Sequence, residues 1–264
     1  MKRSILLRFF NALLLLHLSS SNAIALELSP IISLNSGVQY FHYEEFNSNN
    51  DRLNKEEGFL PEIKAEASQD VQQWGLSVYG GFIKGRVNYF GQTQAGADHN
   101  TTTEQEISHL GFSLLTPTLF SSFYDNRAKF SVERYFWRRD IQPKNNIIRL
   151  VEDYQWTLIK GSLSLSPIDN LTLFAGIQYL FDASMFIHDT GCYDSVTVYP
   201  KSSFGWLSGI EYQLNSNWKI NLDYQYKEMR ESEVRFANSC RGRVGWKEPD
   251  NQMQTTSLQI SYSI

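Results

Sequence analysis

Apolar and polar side chains alternate with a period of two residues along most of this chain. Between positions 218 and 227 one parity is polar or charged, whereas the other is apolar and consists of Trp218, Ile220, Leu222, Tyr224 and Tyr226. Positions 171–182, 204–214 and 257–264 repeat this pattern, and the residues after position 25 show no convincing helical period. A period of two is typical of β-strands whose two faces meet different environments. The sequence therefore predicts an all-β chain.

The alternation divides the chain into ten long strands, and a Gly80-Gly81 pair inside the third predicts a bend or bulge. Ordinary strands are about five or six residues long, whereas membrane-spanning strands need roughly 9–11 residues. The predicted strands lie near 31–46, 57–68, 73–93, 104–115, 128–140, 151–166, 171–186, 202–214, 218–234 and 251–264. Their lengths favour strands that cross a membrane.

The joins between these strands alternate between long and short. Long polar joins follow most odd-numbered strands, as at 187–201 and 235–250, and tight joins follow the even-numbered ones, as at 167–170 and 215–217, with 116–127 as an exception. This asymmetry and the even strand count predict an antiparallel up-and-down transmembrane β-barrel with polar side chains inside and apolar ones facing lipid. A soluble sandwich or lipocalin-like barrel, with the two faces exchanged, is the alternative.

Residues 1–25 have the features of a secretory signal peptide. Basic residues are followed by the apolar stretch 12–18 and by Ala23-Ile24-Ala25, a small-x-small cleavage pattern, which predicts cleavage near Ala25 and a barrel domain over 26–264. Removing this segment leaves 21 of the 24 basic residues against 28 acidic ones, a net charge of −7. Such an acidic chain is not expected to bind nucleic acid.

The last seven residues, Leu258 to Ile264, resemble the C-terminal strand of Gram-negative outer-membrane β-barrel proteins, although the usual final aromatic residue is replaced by Ile264. The segments 135–141, 91–94 and 248–251 are similar to segments of small, roughly ten-stranded outer-membrane barrels that have no assigned activity. The resemblance implies a location in the outer membrane and recognition by the barrel-assembly machinery through the last strand. It implies no cofactor.

Catalytic and metal-binding residues are not evident in the sequence. Omptin proteases, the enzymes among ten-stranded barrels, place a His near an Asp at the outer rim, but none of His42, His99, His109 and His188 has the omptin Asp-x-His spacing. Apart from Cys192 near His188, the cysteines lie far from any His at metal-ligand spacing. We therefore expect no enzyme, with an omptin-like rim hydrolase as the low-ranking alternative.

Charged residues on the inward parity form the first candidate site. They are expected to fill the lumen as ion pairs or, alternatively, to line a narrow porin-like pore for small polar solutes. This lumen set consists of Glu62, Lys64, Glu66, Lys129, Glu133, Glu152, Glu211 and Asp223.

Arginines near the outer loops form the second candidate site. Guanidinium groups bind phosphate in bidentate geometry, so we expect these to contact lipopolysaccharide, unless neighbouring glutamates neutralise them. This rim set consists of Arg138, Arg139, Arg149, Arg235, Arg241 and Arg243. A surface adhesin that acts through the same long loops is the competing function.

The two cysteines, Cys192 and Cys240, fall in the fourth and fifth predicted outer loops. Exported chains with an even number of cysteines usually form disulfides. A bond between these loops would close a span of 48 positions and would stabilise the fold by about 3–4 kcal/mol according to loop entropy.

Overall fold

The computed structural model of this chain describes residues 30–92, 98–120, 125–144, 149–240 and 242–264. Thirteen β-strands lie in these ranges, and no helix among them is long and apolar enough to cross a membrane. The strands are β1 (Ile31–Phe46), β2 (Arg52–Val71), β3 (Trp74–Gln92), β4 (Asp98–Leu115), β5 (Asp125–Ile141), β6 (Leu150–Ile168), β7 (Leu171–Ile187), β8 (Val196–Val198), β9 (Ser203–Gln213), β10 (Trp218–Met229), β11 (Arg235–Ser239), β12 (Gly242–Trp246) and β13 (Asp250–Ser263).

Ten of the described strands close into one antiparallel barrel. Each of β1 to β7 pairs with the next, β7 continues to β9, β10 and β13, and β13 returns to pair with β1. The seam is long, because β1 and β13 are in register from Ser33 opposite Ser263 to Phe46 opposite Asp250. The predicted barrel and its strand count are therefore confirmed. The predicted signal peptide lies outside the described residues and stays a prediction.

The outer surface carries a continuous ring of exposed apolar side chains, which we call the apolar belt. Its larger members are Ile32, Leu34, Val38, Phe59, Ile63, Val78, Phe82, Leu110, Phe112, Phe130, Val132, Phe136, Ile159, Leu163, Leu165, Leu173, Ile177, Tyr179, Phe204, Trp206, Ile210, Tyr212, Trp218, Ile220, Leu222, Leu258, Ile260 and Tyr262. An exposed apolar surface of this extent marks contact with lipid. The membrane interpretation of the alternation is the one that the fold supports.

Above the belt, on the side of the long joins, the outward side chains are charged. These residues, the charged collar, form cross-strand and neighbouring ion pairs, such as Lys84 with Glu106 at 2.8 Å and Arg52 with Glu44 at 3.1 Å. The short turns and both ends of the described barrel lie at the opposite rim. Because outer-membrane barrels have short periplasmic turns and long extracellular loops, the collar lies on the extracellular side.

The interior changes character at the height of the collar. Within the belt the inward side chains are polar or charged, as predicted, whereas above it many of them form an apolar core beside a small set of buried charges, so the prediction of a polar lumen throughout is wrong there. Strands that leave the lipid meet water outside, and their apolar side chains pack inside, as in a soluble domain. This core contains Phe41, Tyr43, Leu60, Trp137, Tyr154, Trp156, Leu158, Leu180, Met185, Ile187 and Met253.

A β-bulge in β7 produces part of this change. Asp182 has a φ of 53°, and the register with β6 shifts so that Asp182 and Ala183 together lie opposite a single residue. Below the bulge Leu180 points inward, whereas above it Ala183 and Met185 do. A one-residue insertion exchanges the two faces of a strand, so the apolar parity moves from lipid to the core.

No bulge occurs at Gly80 and Gly81, so of the predicted bend or bulge the bulge is wrong. The two glycines pair in unbroken register with Ala65 and Lys64 of β2. A Cβ on Gly81 would lie 2.4 Å from the His109 ring. The glycine is therefore needed to make room for an inward histidine.

Candidate functional site

A buried cluster of charges crosses the lumen at the height of the collar, with Arg139 at its centre. Arg138 and Arg139 are consecutive on β5, so strand alternation turns Arg138 outward and Arg139 inward. The Arg139 side chain is only 2% exposed. It reaches across the barrel toward strands that are not its neighbours, and it therefore ties opposite walls together.

Three carboxylates share the Arg139 guanidinium. Arg139 Nε donates to Glu56 at 2.6 Å, and Nη1 donates to Glu45 at 2.7 Å and to Glu152 at 2.8 Å. These acids come from β2, β1 and β6, and all three are buried. Buried ions are tolerated only when they are paired and hydrogen-bonded, so this geometry holds four strands in one arrangement.

Neutral side chains complete the shell around these carboxylates. Asn54 Nδ2 donates to Glu45 at 2.5 Å, and Gln105 donates its amide to Glu56. The Gln105 amide is itself fixed by Trp137 Nε1, which donates to its oxygen at 2.5 Å. The charge cluster and the apolar core thus meet at the Trp137 ring.

A fourth acid, Glu248, enters the cluster from the loop between β12 and β13. Its carboxyl group lies within hydrogen-bond distance of the Tyr43 hydroxyl at 3.2 Å and of the Tyr154 hydroxyl at 3.1 Å, and Asn251 Nδ2 donates to it at 2.6 Å. Burial, followed by the nearby Glu45 and Glu152 carboxylates, raises the pKa of Glu248 well above its usual value. A loop residue therefore closes the barrel mouth from above.

The lumen within the belt holds the charges that the sequence assigned to it, apart from Glu152, which lies higher in the Arg139 cluster. Lys64 and Glu66 are 4.0 Å apart, and Glu211 is 2.8 Å from Lys219, which the sequence prediction left out. Among the described residues at belt height, the inward charges include Glu62, Glu66, Glu133, Glu211 and Asp223 against Lys64, Lys129, Lys160, Lys219 and Lys227. This set balances in charge.

Little open space remains inside. A cavity of about 70 Å³ lies among Glu62, Lys160, Asp223 and Lys227. It is large enough for several waters, since about 10–15 Å³ of such space admits one. Tyr79 donates to Glu133 at 2.5 Å and Gln259 donates to Glu62 at 2.8 Å, so neutral side chains fill the space between the ion pairs.

The predicted rim arginines occupy different places. The prediction that Arg139 lies at the rim is wrong, because its side chain is buried in the lumen and is not available to lipopolysaccharide. Arg138 and Arg149 lie outside but face Asp153 at 3.7 Å and Asp140 at 2.8 Å, respectively. Arg241 lies outside the described residues. The remaining two, Arg235 and Arg243, belong to the hairpin of β11 and β12.

This hairpin is held over the mouth by a disulfide. Cys192 and Cys240 are bonded, with their Cα atoms 4.9 Å apart, as the sequence predicts. Within the described residues, neither Arg235 nor Arg243 has a carboxylate within ion-pair distance. Their guanidinium groups lie over exposed rings instead, 5.6 Å from Tyr199 and 4.6 Å from Phe236.

His188 contacts an aspartate, Asp153, that is distant in sequence and therefore does not have the omptin Asp-x-His spacing. His188 Nε2 lies 2.6 Å from Asp153 Oδ2, and the same carboxylate faces Arg138. The group lies on the outer surface, in the collar. Across the part of the chain that the structure covers, no cluster of three or more His, Cys, Asp or Glu side chains is arranged to hold a metal ion.

A closed ring of ten antiparallel strands with an outward apolar belt, an inward polar lumen and a charged collar defines an outer-membrane β-barrel. No protein-family model and no curated protein matches the chain. Among solved structures, the outer-membrane protease OmpT from Escherichia coli is similar, with a TM-score of 0.52 and 11% identity over 90% of this chain and 99% of that chain.

The translocator domain of the autotransporter NalP from Neisseria meningitidis has a TM-score of 0.44 at 11% identity, over 97% of this chain and 95% of that chain. The P. putida toluene transporter TodX has a TM-score of 0.38 at 9% identity, over 89% of both chains. At 11% identity the likeness to OmpT shows the fold and not an activity.

Proposed function

We propose that this protein is a non-conducting, non-enzymatic outer-membrane barrel that acts as a rigid support for its extracellular hairpin. The observation that carries the proposal is the Arg139 cluster, which crosses the lumen from β5 to Glu45 on β1 and Glu56 on β2 and also binds Glu152 on the adjacent β6. A pore at this height would require water and ions to pass between buried, mutually paired groups. Separating such a pair leaves uncompensated buried charge, which is strongly unfavourable.

The packing of the apolar core also supports the proposal that the barrel does not conduct. Phe41, Leu158 and Trp137 are at most 1% exposed although they point into the barrel. Interiors that pack side chains in this way leave few voids as large as a water molecule. The packing of the described residues therefore weighs against the predicted alternative of a narrow pore.

The His188–Asp153 contact gives little support to a rim hydrolase. In enzymes that activate water with a histidine, the aspartate orients the ring beside the bound substrate. Here the Asp153 carboxylate also faces the Arg138 guanidinium, and both side chains lie on the outer wall. We assign the pair to the charged collar.

Conductance tests the support model. In planar bilayers the refolded wild-type barrel is expected to give no steady open-channel current at neutral pH, because the cluster and the core block the mouth. A porin reconstituted in the same way serves as the control for insertion, and a heat-dependent shift in gel migration confirms folding. A steady current that scales with the number of inserted barrels would contradict the proposal.

A second candidate role, recognition of lipopolysaccharide, is favoured by the unpaired arginines of the hairpin. Arg138 and Arg149 are neutralised by aspartates, whereas Arg235 and Arg243 offer free guanidinium edges beside exposed Tyr199 and Phe236. Guanidinium groups form bidentate hydrogen bonds to phosphate, and aromatic rings cover the apolar faces of sugars or acyl groups. Phosphorylated lipid A fits this surface.

Replacing Arg235 and Arg243 together with serine is expected to weaken lipopolysaccharide binding by about tenfold or more, since each hydrogen bond to a charged group contributes roughly 1.5–3 kcal/mol. Binding of the purified lipid to detergent-solubilised barrel is the measurement. Arg127→Ser, at the periplasmic rim, is the matched control and should bind normally. Equal affinity of the double variant and the control would remove this role.

A further inference from the structure

The carboxyl group of Glu248 lies in the middle of a chain of five oxygen-bearing groups. Tyr43 Oη is 2.9 Å from Glu45 Oε1 and 3.2 Å from Glu248 Oε1. Tyr154 Oη is 3.3 Å from Glu152 Oε2 and 3.1 Å from Glu248 Oε2. The order is therefore Glu45, Tyr43, Glu248, Tyr154, Glu152, with four oxygen–oxygen contacts.

These four contacts need more hydrogens than the two tyrosines supply. Each phenol has one hydroxyl hydrogen, and an ionised carboxylate has none. If Glu45, Glu152 and Glu248 were all ionised, two of the contacts would join oxygens with no hydrogen between them. A proton on one of the three carboxyl groups supplies the third hydrogen.

Glu248 is the acid that lacks a cation. Glu45, Glu56 and Glu152 all accept hydrogen bonds from the Arg139 guanidinium, whereas the side chains that hydrogen-bond to Glu248 among the described residues are neutral. The titratable and charged groups around it come from every packed element: Tyr43 and Glu45 on β1, Glu56 on β2, Tyr89 on β3, Arg139 on β5, and Glu152 and Tyr154 on β6. Placing the proton on Glu248 preserves all three contacts to Arg139.

Glu248 also fastens the base of the hairpin. Its backbone N–H donates to Ser232 Oγ at 2.9 Å, and Ser232 N donates to the Glu248 carbonyl at 3.0 Å. The segment from 232 to 248 is thereby closed into a loop that contains β11 and β12. The Glu248 side chain is the part of this loop that reaches the buried cluster.

We propose that Glu248 is protonated at neutral pH and, as a neutral acid, locks the base of the β11–β12 hairpin onto the barrel mouth, and that loss of this proton releases this base while the Cys192–Cys240 disulfide still holds the tip. An ionised Glu248 would face Glu45 and Glu152 without a cation of its own, and the hydrogen that fills a third of the four contacts would be lost. Moving the ionised Glu248 carboxylate into water removes the repulsion by Glu45 and Glu152 and supplies hydrogen-bond donors. The lock is independent of whether the barrel conducts or binds lipopolysaccharide.

The direction of the pH dependence follows from linkage. Because the folded protein binds the Glu248 proton more tightly than the unfolded chain does, the contribution to stability is complete below the ordinary glutamate pKa of about 4.3. It declines as the pH rises through the elevated pKa of Glu248 in the folded state. The base of the hairpin is therefore fastened in acid and neutral solution and is released in alkaline solution.

Infrared spectroscopy tests the proton directly. The wild-type barrel should show the carbonyl stretch of a protonated carboxylic acid at neutral pH, and Glu248→Gln, which is isosteric and cannot ionise, should lack it. An absent band in the wild type, or a band that persists unchanged in Glu248→Gln, would overturn the assignment of the proton to Glu248.

Hydrogen exchange of the segment from 232 to 248 tests the lock. Between about pH 6 and about pH 9 the wild-type protection factors, corrected for intrinsic exchange, should fall by about tenfold, while those of Glu248→Gln should stay within about twofold. Equal pH dependence in both proteins would refute the lock. Tyr154→Phe provides a second variant: it removes a donor to the ionised carboxylate, so release should move to higher pH, and release at an unchanged or lower pH counts against the proposal.

Discussion

Replacing Arg139 with alanine is expected to lower the free energy of unfolding by about 3–5 kcal/mol, because removing one partner of a buried ion network leaves uncompensated charge. The side chain is 2% exposed, and Glu45, Glu56 and Glu152 all accept from it. In the variant, three buried carboxylates would have to ionise without a cation, take up protons or admit water. Urea titration of the refolded barrel, followed by tryptophan fluorescence, measures the loss.

The neighbouring residue is a matched control for this experiment. Arg138→Ala removes the same side chain one position earlier on the same strand, where it faces outward and lies 3.7 Å from Asp153. Exposed ion pairs contribute about 0–1 kcal/mol, so the control should lose little stability. The double variant Arg139→Ala/Glu56→Gln should recover part of the loss. Similar losses for Arg138→Ala and Arg139→Ala would show that the cluster does not stabilise the barrel as described.

Replacing Trp137 with alanine is expected to lower the free energy of unfolding by about 3–5 kcal/mol, because a fully buried aromatic side chain is lost and a cavity is left in its place. The Trp137 ring is 1% exposed and lies 4.5 Å, centroid to centroid, from Tyr154 and 5.2 Å from Tyr43. It also holds Gln105, which donates to Glu56. The same urea titration, followed by circular dichroism to avoid the lost fluorophore, reports the change.

Phe90→Ala is the control for the core. Phe90 lies at the same extracellular end, on β3, but its side chain is 43% exposed. Surface substitutions usually change stability by less than about 0.5 kcal/mol. If Phe90→Ala and Trp137→Ala destabilised the barrel equally, the interior above the belt would not be packed as a core.

Strand alternation predicts the part of the molecule that lies within the membrane. Ile220 and Leu222 face lipid while Asp223 and Lys219 face the lumen, as the period of two requires. Alternation shows only that the two faces of a strand differ, and it does not show which face is shielded from water. Inside the bilayer the dry face points outward, so polar positions there were assigned correctly.

Above the belt the apolar face of the same strand turns from the lipid to the interior. The sequence alone does not show where along the strand this change occurs. Arg139 shares its parity with Lys129 and Glu133, which were placed inward, so the signal for a lumenal position was present. Its place beside a predicted loop outweighed that parity in the prediction. Glu248 had no periodic signal at all, because a loop residue reaches the cluster only through tertiary contacts.

The strands that rise past the belt set how far the loops stand from the lipid. From Lys84 to Gln92, β3 continues beyond its last belt residue, Phe82. At about 3.3 Å per residue and a tilt near 40°, this extension raises its end by roughly 20 Å. In the proposed support role the barrel is a pedestal that lifts its extracellular hairpin clear of the apolar belt.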